Sequence, residues 1–72
     1  MLSEADPIII RDVFVSVPKR EGVQNGLGVT SIRIKQGERV IWHFTPLEGG
    51  KLRVSGYSIL SPEGDVLLEE DR

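Results

Sequence analysis

The sequence predicts an all-β fold, a small antiparallel five-stranded barrel or sandwich built on a four-strand meander. Three observations carry this. Eight Val and seven Ile stand against seven Leu and a single Ala, and β-branched aliphatics pack well on a pleated surface while losing side-chain freedom in a helix. Apolar residues recur at every second position, as in Val13, Val15 and Val17, which is the strand period. Clusters of turn formers, KQG, PLEGGK and SPEG, punctuate these runs at short intervals.

Each element follows in chain order. Residues 1–7 read as a flexible end: Ser3 and Asp6 resemble a helix capping box, but Pro7 follows and the next run is strand-like. Ile8–Val17 reads as a first strand, with the three valines on one face and Phe14 on the other, stopped by Pro18. Residues 18–28 hold a basic pair and several turn formers and read as a mobile loop. Asn25-Gly26 within it signals a type I′ turn and a small hairpin at the tip. Further strands are expected at Val29–Ile34, Glu38–Thr45, Leu52–Leu60 and Val66–Glu69, placing one β domain at residues 8–69 and an acidic end at 70–72.

Turn chemistry suggests the registers. In Ile34-Lys35-Gln36-Gly37-Glu38, a three-residue hairpin loop would use Gly37 in the left-handed region. It would pair Ile32 with Val40 and Thr30 with Trp42, gathering Thr30, Ile32, Ile34, Val40, Trp42 and Phe44 on one face. Ser61-Pro62-Glu63-Gly64-Asp65 repeats the construction with Gly64, pairing Leu60 with Val66 and Ser58 with Leu68. Leu52, Val54, Leu60, Val66 and Leu68 would share a face, with Phe44 near Leu52 and Trp42 near Val54. Uninterrupted alternation then assigns Ile41, Tyr57, Ile59 and Leu67 to the face opposite Trp42.

At 72 residues there is room for one small domain and none for a two-domain enzyme. The absence of cysteine removes disulfides, thiolate metal sites and a cysteine nucleophile. The acidic start lacks the features of a signal peptide, and no apolar run approaches the roughly 18 residues of a membrane span, so a cytoplasmic protein is expected. The net charge of −2 hides an asymmetry: residues 28–60 carry five basic and two acidic groups, whereas residues 61–72 carry five acidic and one basic.

Sequence motifs supply no chemistry. His43 is the lone histidine and has no carboxylate two positions away on its strand, so no metal is expected. Gly26-Leu27-Gly28 begins a dinucleotide-loop pattern that fails at Ser31 and has no following helix. Gly56-Tyr57-Ser58-Ile59-Leu60 misses the nucleophile elbow at Leu60 and lies in a strand, which leaves Ser58 unactivated.

Ile34-Lys35-Gln36-Gly37-Glu38-Arg39-Val40-Ile41-Trp42 resembles the hairpin of cupredoxin-like β-sandwich domains over nine of 72 residues. The copper site of that family needs a cysteine and two histidines. With no Cys and one His here, the resemblance implies no copper role.

The expected function is therefore non-catalytic and needs no cofactor: a protein-interaction or structural subunit of a larger assembly, homo-oligomeric or viral assemblies included. Its interface would centre on Ile41, Tyr57, Ile59 and Leu67, because a one-sided sheet would be polar there. The alternative is a single-stranded nucleic-acid-binding module, with Arg33, Lys35, Arg39 and Arg53 forming a basic face that follows phosphates.

Overall fold

A computed structural model describes residues 11–72. The expectations for residues 1–10, namely the flexible end, the capping box and the Ile8–Ile10 start of the first strand, lie outside the described residues. Among the described residues six strands form two sheets: β1 (Asp12–Ser16), β2 (Val23–Asn25), β3 (Ser31–Lys35), β4 (Arg39–Pro46), β5 (Leu52–Leu60) and β6 (Val66–Asp71). The all-β class holds. The Leu52–Leu60 strand has its expected bounds, and those expected at 29–34, 38–45 and 66–69 appear within two residues of theirs.

The architecture differs from the expected meander. β1 and β3 make a two-stranded antiparallel ribbon, with Val13 opposite Ile34 and Val15 opposite Ile32. β5 is the centre of the second sheet: β4 lies antiparallel along one side, while β2, parallel, and β6, antiparallel, occupy successive lengths of the other. Among the described residues β3 does not pair with β4, so neither the four-strand meander nor a closed barrel forms.

The two glycine turns explain why one hairpin formed and the other did not. Gly37 and Gly64 both have positive φ, 94° and 98°, as expected. At the second turn Gly64 N donates to Ser61 O at 2.9 Å and Ser61 N to Asp65 O at 2.7 Å. This is the three-residue loop, and the Leu60–Val66 pair follows it. At the first turn the closing bond is one residue later, Glu38 N to Lys35 O at 3.0 Å. Gly37 is thus the third residue of a type II turn, whose twist splays its flanking strands. The Glu38 carboxylate takes the Lys35 N–H at 2.7 Å instead. Segment 34–42, which resembles a cupredoxin hairpin in sequence, is therefore a corner between two sheets.

The 18–28 segment is part of the core. Val17, Leu27 and Val54 are buried together, with Val23, Trp42 and Tyr57 packed around them. β2 holds the segment on β5 by Val23–Leu52, Gln24–Arg53 and Asn25–Val54 pairing, continued by Gly26 N to Val54 O at 2.9 Å. Asn25-Gly26 is not a type I′ turn, since neither residue has the positive φ that turn needs. The Asn25 side chain instead accepts from Leu27 N at 2.8 Å and donates to Val29 O at 2.6 Å, which aims Leu27 inward. A Cβ on Gly26 would strike the Arg53 side chain and Val54 O, so the close approach needs glycine.

Two bulges reset the faces. Phe44 pairs with Val54 but His43 with Gly56, leaving Ser55 unopposed; Ile59 pairs with Leu68 but Leu60 with Val66, leaving Leu67 unopposed. One extra residue exchanges the faces of all that follows. Trp42 therefore faces Tyr57 instead of Val54, and Ser58 pairs with Glu69 instead of Leu68.

Leu27 is 2% exposed, so Leu27→Ala should lower unfolding free energy by about 2–5 kcal/mol in denaturant titration. A mobile 18–28 loop would leave it unchanged. Gly64→Val should cost more than about 1 kcal/mol, because a β-branched residue at positive φ is strained; an unaltered denaturation midpoint would contradict the turn assignment.

Candidate functional site

The four residues expected at an interface are divided between environments. Tyr57 meets Trp42 edge to face, with ring centroids 6.0 Å apart, on the core side of the sheet. Ile59 is buried and pairs with Val40, two positions from Tyr57 on the same side. Ile41 and Leu67 are exposed, Ile41 on the other side of β4 and Leu67 at the β6 bulge. The expected placement of Tyr57 and Ile59 opposite the core is thus overturned by the Ser55 bulge. The positively charged set is divided as well: Arg33 and Lys35 are on the ribbon, Arg39 and Arg53 near opposite ends of the β4–β5 pair. All four are exposed, and Arg33 has Asp12 at 3.9 Å across the ribbon.

On the face opposite the core, a polar trio spans three strands. His43 pairs with Gly56 on β5, and Gly56 pairs with Asp71 on β6. With no side chain between them, the imidazole reaches across: His43 Nδ1 is 2.9 Å from Asp71 Oδ1, and Nε2 is 2.8 Å from Ser58 Oγ. A Cβ at Gly56 would collide with Glu70 O and Asp71 Oδ1. Donation by Nδ1–H to the carboxylate leaves Nε2 to accept from the serine hydroxyl.

These contacts have the order found in acyl-transfer triads, but Ser58 is mid-strand and 5% exposed. What the trio does is fasten β4, β5 and β6 together and satisfy a buried hydroxyl. The clue in the sequence was Gly56, since an isolated glycine inside a strand marks close approach or a bulge. Among the described residues no group of three His, Cys, Asp or Glu is placed to hold a metal ion.

The largest departure from a self-contained domain is apolar. Among the described residues five hydrophobic ones are buried, Val17, Leu27, Ile34, Val54 and Ile59, whereas nine large ones are exposed. Five of the nine lie on two strands, and the others are Val29, Ile41 and Phe44 on β4, and Leu52 on β5. β6 presents Val66, Leu67 and Leu68 at 58%, 54% and 44% exposure, and β1 presents Val13 and Phe14 at 38% and 70%. Each has only one partner among the described residues, β5 for β6 and β3 for β1, so each leaves a row of peptide N–H and C=O groups unpaired by another strand. Sequence reasoning located these residues but assigned Leu68 and Val66 to the core.

No family model, curated protein or solved structure matches the chain. Among the described residues no helix is long and apolar enough to cross a membrane.

His43→Ala deletes both trio bonds and strands the Ser58 hydroxyl. It should destabilise by about 1–3 kcal/mol, the cost of an unsatisfied buried polar group. A chemical-denaturation midpoint within error of wild type would show that the trio does not fasten the sheet.

Proposed function

We propose that this protein is a non-catalytic assembly subunit, whose exposed apolar strands are covered by protein when it functions. The observation that supports this is the imbalance between five buried and nine exposed large hydrophobics among the described residues. Apolar surface is drawn out of water at about 25 cal/mol per Å², and exposed apolar edge strands are templates for strand pairing. A domain this small gains the most from assembly, since its own core covers only about 60% of the surface its unfolded chain exposes. The reading keeps Ile41 and Leu67 from the expected interface and adds Phe14, Val66 and Leu68.

Single-strand nucleic-acid binding fits the geometry less well. Asp71 and Glu69 sit across the sheet from His43 and Ser58, between the positions of Arg39 and Arg53, where their charge would repel a phosphate backbone.

The test is purification of the tagged protein from its native host, with mass spectrometry and ultraviolet absorbance on one eluate. The expected result is a stoichiometric protein complex without nucleic acid, lost when Leu67 and Leu68 are both replaced by Lys. Recovery of the protein alone would overturn the reading. Nucleic acid retained at 50 mM salt and released by about 200 mM would favour the alternative.

A further inference from the structure

β1 and β6 form a matched pair of unfilled edges within one chain. They have similar lengths, five and six residues. Val13 and Phe14 point to opposite faces of β1, and Val66 and Leu68 lie opposite the consecutive residues Leu60 and Ile59 and so also take opposite faces of β6, so each edge carries apolar side chains on both faces. Their charges are opposite. The ribbon, residues 11–16 and 31–35, carries Arg11, Arg33 and Lys35 against Asp12, for a net +2. The β6 segment, residues 65–72, carries Asp65, Glu69, Glu70 and Asp71 against Arg72, for a net −3. The edge of β4 also exposes Ile41 and Phe44, but it bears Arg39 and His43, which gives the positively charged ribbon no acidic partner, and it ends in Pro46, which has no N–H to donate.

Resting on the assembly reading above, we propose that the occupant of each edge is a second copy of this chain: β6 of one copy adds to β1 of the next. Main-chain hydrogen bonds would continue the β1–β3 ribbon into the β6–β5–β4 sheet, with Phe14 and Val13 beside Val66, Leu67 and Leu68. The Arg11, Arg33 and Lys35 side would meet the Glu69, Glu70 and Asp71 side. Because the two surfaces are different, the contact is heterologous and every bound copy still offers one β1 and one β6. Such contacts build rings when the rotation closes and filaments when it does not. Like-charge opposition of two β1 ribbons, or of two β6 strands, works against a two-fold contact.

The experiment uses Phe14→Glu, which spoils β1, and Leu67→Lys, which spoils β6. Both residues are more than half exposed, so circular dichroism should show folded chains. Size-exclusion chromatography with light scattering, at low salt, should find the wild type larger than a dimer and each variant monomeric. Mixing the two variants should yield a 1:1 heterodimer, since the mixture holds one intact β1 and one intact β6. An assembled wild type whose Phe14→Glu form still dimerises, or whose variants do not complement, would overturn the heterologous contact. A monomeric wild type at about 100-fold dilution below millimolar concentration would overturn self-association. If it then recovered a stoichiometric different protein from the host, the assembly reading would survive; if it recovered none, both would fall.

Discussion

Burial of Val54, the one side chain with no exposed surface among the described residues, organises the fold. It is the third residue of β5, the strand to which β2, β4 and β6 all bond. To cover it, the chain after Val17 must turn back so that Val23 and Leu27 reach the same face. That return path makes β2 run parallel to β5 and brings the β1–β3 ribbon to the edge of the core. A segment with three glycines among eleven residues thus joins the core because one leucine within it has an apolar partner. The Asx turn at Asn25 and the absent Cβ at Gly26 allow the close approach.

The same economy of core leaves much of the sheet uncovered. β6 is held by its ladder to β5, by the Ser61–Asp65 turn and by the reach of His43 across Gly56 to Asp71, without a second layer over Val66 to Leu68. Main-chain and polar contacts position this strand, and its apolar side chains are exposed. A strand held by its backbone ladder with apolar side chains exposed is what the proposed edge-to-edge assembly requires.

Charge arrangement then separates one kind of partner from another. The ribbon, with Arg11, Arg33 and Lys35 against Asp12, and the last strand, with Glu69, Glu70 and Asp71, present unlike charge. Unlike ends favour ordered succession over pairing of identical surfaces, because complementary potentials select orientation more than they add affinity.

Composition, periodicity and turn residues alone determined the β class, the span of β5, the approximate spans of β3, β4 and β6, and the left-handed glycines at residues 37 and 64. These are local properties: β-branching stiffens a strand wherever it pairs, and positive φ suits glycine in any context. Tertiary structure decided which strands are neighbours, and with it the faces. A one-residue shift of the closing bond at Gly37 turned an expected hairpin into a corner between sheets, and the extra residue Ser55 moved Tyr57 beside Trp42. The trio of His43, Ser58 and Asp71 was illegible for the same reason, since its members are 15 and 28 positions apart and meet only through that register. Where a bulge falls depends on the competing long-range burial of Val54, Leu27 and Trp42, and no window of neighbouring residues contains that competition.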